Sequence, residues 1–359
     1  MTLAAVSPLG PAPPEVVPGC LLLESFKPIE SIIDGLPTGR GALVAITAPT
    51  GHGKTTVSAL MQVSLCLQRD FAGREVTPGS VLVLAGENPD DYTMHLKATV
   101  QDLGLHPRDV NRINSGQLLV VAGTFSIDYE LEHLANRMRT LHTSLVAVFV
   151  DTSAAFYTAD DENSNVDMRR HASSLRELTT LPGNPTVFVL CHPTKNAQRD
   201  TLLPRGGGAF LAEIDANLTL WKDDTGIVSL HWFGKIRGSS FDPLRFELAQ
   251  VELEGIKDAR GRPIYSVAAR HIADERAEQI EVKVLDDENR LLLAMLRKPG
   301  ASIAELAMAG GFTTGVGVPH KSKVSRLLNK LGNQALVKKS RTGSWELTRD
   351  GRKEAENLP

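Results

Sequence analysis

The stretch "APTGHGKTT", residues 48–56, lies between the apolar run "ALVAI" and the run "VSALMQVSLCLQ". It fits the pattern [AG]xxxxGK[ST], and a strand, glycine turn and helix in that order form a grip for phosphate. Ala48, Thr50, Gly51, His52, Gly53, Lys54, Thr55 and Thr56 are the expected nucleotide contacts. Backbone N–H groups of Gly51, His52 and Gly53 converge on a β-phosphate, Lys54 bridges β- and γ-phosphates, and the Thr55 hydroxyl binds Mg²⁺. Glycine is needed because a Cβ collides with the phosphate or forbids the backbone angles. ATP with Mg²⁺ is therefore the expected cofactor pair.

Such a loop works only at the edge of a sheet, and the chain supplies one. From Leu43 to about Val251, short runs that are apolar throughout alternate with stretches of helical period: "ALVAI", "VLVLAG", "LLVVAG", "LVAVFVD", "TVFVLCH", "ANLTLW", "IVSLHWF" and "RFELAQV". Runs of that kind suit strands covered on both faces, so the expected fold is α/β with a mostly parallel sheet. The last runs have hairpin spacing and predict an antiparallel extension, with "EGIKDARGRPIYSV" as one more hairpin.

"SLVAVFVD" ends in Asp151, an acid placed to meet the water shell of a magnesium ion. The catalytic base has two strand-end candidates, Glu87 in "VLVLAGENPDD" and the cluster Asp160, Asp161 and Glu162. Thr152 stands where an acid directly follows the aspartate in many P-loop ATPases. Glu87, at the end of a strand expected beside the loop, is the better candidate. His192 ends the next apolar strand, within reach of a γ-phosphate.

The 359 residues predict four regions: a proline-rich, disordered lead-in over 1–25, an ATPase domain over 26–267, a charged helical linker over 268–285, and a small domain over 286–359. The lead-in has no positive n-region and no apolar run approaches the roughly 18 residues of a membrane helix, so a cytoplasmic protein without membrane contact is expected. Cys20, Cys66 and Cys191 are far apart and read as small apolar fillers. The net charge of −3 is uneven, because residues 286–359 carry 13 Lys and Arg against 8 Asp and Glu, or +5, leaving −8 on the rest. "DENRLLLAMLRK", "SIAELAMAGG" and the basic "HKSKVSRLLNKLGN" read as three helices, followed by two short strands around "RTGS" and a closing helix. That is winged helix-turn-helix order. Lys321, Lys323, Arg326 and Lys330 lie on or near the candidate recognition helix, and Lys338, Lys339 and Arg341 on the wing. Duplex DNA and a protein partner both remain open as its ligand.

Together these residues resemble the RecA-like hexameric helicase group, in particular the RepA-type replicative helicases of plasmids and phages, over about Ile29–Ala268. "GENPDD" is similar to that family's catalytic-glutamate segment, "DTSAAFYTADDEN" to its Walker B segment, and "LCHPTKN" to its γ-phosphate-sensing histidine motif. The resemblance implies catalysis by Glu87, sensing by His192, and a mobile glycine-containing loop in a ring channel. That loop carries Lys195, Arg199 and Arg205, suited to single-stranded DNA. It also implies a homo-oligomer, a hexameric ring, with a possible replication partner protein. One departure concerns the arginine that reaches a neighbour's nucleotide, since Asn217 or Leu218 stands at its place. Lys235 and Arg237 in "FGKIRGSS" match the wider group's trans-acting pair instead. The expected activity is an ATP-driven helicase or single-strand translocase. An ATP-switched DNA-binding regulator and a filament-forming recombination mediator are the alternatives.

Overall fold

The computed structural model describes residues 16, 18–25, 30–159, 161, 164–315, 317–340 and 343–358. The chain divides into two units, Met1–Glu30 and Ser31–Pro359. In the first, helix α1 (Gly19–Ser25) occupies the end of the segment expected as a disordered lead-in, which corrects that expectation; residues 1–15 and 17 lie outside the described residues. Cys20 on α1 is exposed, so only the buried Cys66 and Cys191 act as apolar fillers.

In the second unit, β1 (Leu43–Thr47) leads through the glycine loop into α2 (Lys54–Leu67). Then come β2 (Ser80–Ala85), α3 (Pro89–Asp102), α4 (Pro107–Arg112), β3 (Leu118–Ala122), α5 (Ile127–Thr140), β4 (Leu145–Asp151), α6 (Asn165–Glu177) and β5 (Thr186–Cys191). The sheet is completed after α7 (Gly207–Glu213) by β6 (Ala216–Lys222), β7 (Ile227–Ile236), β8 (Leu244–Lys257) and β9 (Pro263–Ile272). Its order is β3-β2-β4-β5-β1-β6-β7-β8-β9, parallel through β6 and antiparallel beyond. This is a RecA-like P-loop NTPase fold. All eight apolar runs are strands. β1, β4 and β5 are buried along their whole length because their alternate residues enter two separate cores: Val44 and Ile46 one, Leu43 and Ala45 the other.

At the C-terminal end of the sheet one expectation is met and one is corrected. "EGIKDARGRPIYSV" is the hairpin expected, and its first strand is continuous with the preceding run: β8 extends to Lys257 and returns as β9 around the turn at Asp258. The segment 268–285 is shared between the end of β9 and α8 (Asp274–Arg297), a 24-residue helix continuous with the region beyond it. Ala277 near its start is buried with Ile227 and Ile272 of the sheet. The end of α8 packs with α9 (Ile303–Ala309), α10 (Lys321–Asn333), the β10–β11 hairpin (Val337–Lys339, Trp345–Leu347) and α11 (Arg349–Asn357) around their own apolar core. Among the described residues no helix is long and apolar enough to cross a membrane.

The edge of the sheet opposite the glycine loop is fastened by one buried side chain. Asp215, at the entry to β6, accepts from the Leu43 N–H at 2.8 Å, from Arg176 at 3.1 Å and from Arg237 at 2.6 Å. Removing a carboxylate so placed leaves the buried Leu43 N–H without a partner and takes the counter-charge from Arg176 and Arg237. Asp215→Ala is expected to cost about 3 kcal/mol, read as a lower melting temperature. Asp215→Asn, which keeps an acceptor for Leu43, is expected to cost less.

Candidate functional site

The glycine loop is built as its residue types require. Gly51 and Gly53 have φ of 78° and 85°, the left-handed region, and Gly53 is the N-cap of α2. A Cβ on Gly53 would also stand 3.3 Å from Leu248 of β8. Every residue of α2 except Thr55 is buried, so the helix can offer its N-terminal N–H groups only into this loop. Lys54 Nζ donates to the carbonyl of Ala48 at 2.7 Å and to that of Pro49 at 3.4 Å, which lays the ammonium across the loop. Burial lowers its pKa, and the carboxylates of Asp151 and Glu87 oppose that shift.

His52 has a side-chain role that the motif does not predict. Its Nδ1 accepts the Lys222 N–H at 2.9 Å and its ring meets Trp221 edge-on at 4.9 Å, so the loop is pinned to the end of β6. Burial, then the charges of Lys222 and Lys54, lower the His52 pKa and keep the ring a neutral acceptor. Nothing in the sequence around Trp221 and Lys222 signals this contact.

Strand order brings the acids and His192 to the loop. β5 lies between β1 and β4, and β2 lies beyond β4, so the ends of four strands converge. Thr55 donates to Asp151 Oδ2 at 3.1 Å. The Gly86 and Glu87 N–H groups donate to the Asp151 carbonyl at 2.8 and 3.2 Å, tying the end of β2 to that of β4. Gly86 is required there, because a Cβ would come within 2.7 Å of the Phe156 ring. Glu87 Oε2 stands 3.8 Å from His192 Nε2. Burial lowers the His192 pKa, Lys54 adds to the effect and Glu87 opposes it, leaving a neutral imidazole at pH 7. Asp161, the described member of the rival acid cluster, is outside this cleft; Asp160 and Glu162 lie outside the described residues.

These groups line a cleft of about 630 Å³, a size suited to a nucleotide. The hydroxyl of Thr55 and the carboxylate of Asp151 are the hard oxygen donors that Mg²⁺ takes while keeping most of its own water, so the residues present fit the ion. Bound there, Mg²⁺ supplies charge neutralisation for a triphosphate. The cleft has a further wall that the sequence did not announce, formed by α3 and by residues of β8 and β9.

The other expected site residues lie elsewhere. Lys195, Arg199 and Arg205 are exposed on the segment after His192, but the segment is a closed hairpin and not an open glycine loop. Pro193 bridges Pro204, the Thr194 N–H donates to Leu203 O at 3.0 Å, and the Arg205 N–H to His192 O at 2.8 Å. The next glycines belong to the start of α7, with Gly206 as its N-cap. Asn217, standing where an arginine was sought, is fully buried; it accepts from Thr47 at 2.6 Å and donates to Leu202 O and Phe233 O, both at 2.9 Å. Lys235 donates to the carbonyls of Leu211 and Ala212 that end α7, and Arg237 pairs with Asp215. Ile236 between them pairs with Ala216, which is level with Val44, so both cations sit at the edge of the sheet away from their own glycine loop.

On α10 the basic face is narrower than its composition suggests. Lys323 Nζ is 2.6 Å from Asp287, and Lys330 pairs with Glu288; both acids are nearly buried on α8. These two lysines, expected as DNA contacts, neutralise buried carboxylates, whose desolvation demands a partner. Lys321 and Arg326 remain exposed on α10, and Lys338 and Lys339 on β10; Arg341 lies outside the described residues.

A family model described as an AAA domain matches residues 12–198, just over half of the chain. No curated protein matches it.

Burial pushes the Asp151 pKa from 3.8 to about 6, the Thr55 hydrogen bond acting against it and Glu87 adding to it. The folded state thus holds this proton more tightly than the unfolded chain, so at this group stability rises as pH falls from about 6 toward 3.8. That difference corresponds to about 3 kcal/mol against folding above pH 6. Asp151→Asn is expected to raise the melting temperature at pH 7 and to flatten its pH dependence between 4 and 6, while hydrolysis is lost. In the unaltered protein, Mg²⁺-nucleotide binding is expected to weaken as pH drops through about 6, measured by titration calorimetry.

Proposed function

The chain belongs to the AAA-domain family and is an ATPase of the P-loop type, and from that premise we propose that it is a Mg²⁺-dependent, ring-forming DNA motor. The work we assign to it is that of a helicase or single-strand translocase, as in the RepA-type proteins of mobile elements that its sequence resembles. The observation that carries this reading is the direct passage from the end of β5 into the Pro193–Pro204 hairpin. His192 faces Glu87 at 3.8 Å and leads without a break into the hairpin that bears Lys195, Arg199 and Arg205.

In this mechanism Lys54 holds the β- and γ-phosphates, and Glu87 orients a water and takes its proton as the oxygen attacks the γ-phosphorus. The bond to the ADP oxygen breaks, and the leaving group departs with its charge. Loss of the γ-phosphoryl group alters what His192 contacts, and the Pro193–Pro204 hairpin moves with it along a phosphate backbone. Lys235 and Arg237 cannot serve their own chain's nucleotide from the far edge of the sheet. A neighbouring copy receives them, which makes hydrolysis depend on assembly. The three helices and hairpin after Asp286 act as a winged helix that tethers the ring to duplex DNA through Lys321, Arg326, Lys338 and Lys339.

Steady-state ATPase rates with and without single-stranded DNA test the motor. DNA is expected to raise the wild-type rate several-fold. Glu87→Gln is expected to lower kcat about 100-fold and Arg237→Ala about 1000-fold, both with nucleotide binding retained. A wild-type rate indifferent to DNA, together with an Arg237→Ala variant at full speed, would overturn the proposal in favour of a regulatory switch. In gel shifts of the full chain on duplex DNA at low salt, Lys321→Ala with Arg326→Ala is expected to weaken binding and reduce its salt dependence. Lys330→Ala is expected instead to lower the melting temperature, by stranding Glu288. No shift for the wild type would assign the C-terminal region to protein docking.

A further inference from the structure

His171 on α6 is 7% exposed, and no step of the hydrolysis uses it. Its Nε2 stands 2.9 Å from the hydroxyl of Ser153, which follows Asp151 by two residues beyond the end of β4. Ser153 also makes a side-chain hydrogen bond with Cys191, the residue that ends β5 and precedes His192. A hydroxyl has a hydrogen to give and lone pairs to receive one, so Ser153 can hold both neighbours at once. A single serine thus joins two strand ends of the nucleotide site to a buried histidine.

The ring of His171 packs on α7. It lies 6.2 Å from the ring of Phe210, tilted by only 24°, and meets Tyr157 edge-on at 5.2 Å. Phe210 is fully buried in the middle of α7. Met168, three residues before His171 on α6, covers Gly206, the N-cap of α7, where a Cβ would overlap the Met168 side chain. α6 therefore grips α7 at its start and at its middle. The start of α7 follows directly on Arg205 at the foot of the Pro193–Pro204 hairpin, and its end supplies the Leu211 and Ala212 carbonyls that hold Lys235. His171 and His192 also line one cavity of about 30 Å³, together with Ser153, Cys191 and Arg205. That space is too small for a substrate, but it leaves the His192 ring room to turn.

We propose that His171 is a positioning residue that couples the nucleotide site to α7. Through Ser153 it follows the ends of β4 and β5 when the γ-phosphoryl group is lost. Through Phe210 it turns α7, which moves the hairpin at one end and Lys235 at the other. The covalent link from His192 into the hairpin does not suffice by itself, because the hairpin is paired to itself and its foot is seated against α6. The coupling rests on the reading of His192 as the sensor of the γ-phosphate, and its test separates the two.

Limited trypsin digestion of the full chain supplies that test, with cleavage after the exposed Lys195 and Arg199 followed by mass spectrometry. In the wild type, cleavage rates with Mg²⁺ and a non-hydrolysable ATP analogue are expected to differ from those with Mg²⁺ and ADP by at least about 5-fold. His171→Phe keeps a ring on Phe210 and loses the nitrogen facing Ser153; it is expected to make the two rates equal while analogue affinity, measured by titration calorimetry, is unchanged. His171→Gln, which returns a nitrogen to that side, is expected to restore part of the difference. Ser153→Ala is expected to match His171→Phe, and the double variant to be no worse than either single one, since both remove the same contact. A His171→Phe variant that keeps the wild-type difference, or that folds and no longer binds the analogue, overturns the coupling. If His171→Phe does not fold, the same comparison on Ser153→Ala decides. A wild type that binds the analogue yet is cut at equal rates in both nucleotides overturns the sensor reading of His192, and the coupling with it.

Discussion

A polyanion held by the N-terminus of a helix buried at every residue but one is the requirement around which the larger unit is built. The N–H groups at the start of α2 have no intrahelical acceptors, and they attract phosphate most strongly where solvent does not compete. Burying α2 apart from Thr55 demands cover on every side. The parallel sheet covers one flank, α3, α4 and the turn at 113–117 another, and β9 of the antiparallel extension a third. The antiparallel strands are thus part of the phosphate grip, completing the enclosure that the P-loop strand and its helix begin.

Two aspartates with the same 8% exposure show how differently burial is used. Asp215 is surrounded by the Leu43 N–H and two guanidinium groups, which suits a charge that holds strands together. Asp151 receives a side-chain hydrogen bond from Thr55, and burial raises its pKa to about 6. A carboxylate so weakly compensated binds a cation strongly when one arrives, and it weakens the fold until then. Stability is given up where the chemistry needs an unsatisfied group, and recovered at the opposite edge of the same sheet.

The C-terminal region obeys the same rule at lower cost. Asp287 and Glu288 are carried into the apolar core of α8 and α10, and Lys323 and Lys330, seven residues apart on one helix face, meet them there. That pairing was open to the sequence in principle: Lys323, Leu327, Lys330 and Leu331 share a stripe of helical period. Counting cations along α10 without asking which stripe they occupy overstates the charge available to any outside partner.

What the sequence determined by itself was local and periodic. Apolar runs of strand length, the glycine pattern, and acids at strand ends specified the eight strands, the loop at residues 48–53, and the roles open to Lys54, Thr55, Glu87, Asp151 and His192. Those features depend on neighbours within a few residues, and a linear pattern records them. Only the tertiary structure decided what depends on contacts across long separations. His52 is pinned by Lys222, 170 residues away; Asn217 ties β1 to β7; and β8 and β9 close the cleft over α3. The segment after His192 is paired, and Lys323 and Lys330 face inward, for the same reason. A polar side chain carries no mark of whether its partner is water or a distant strand, and strand order makes that choice.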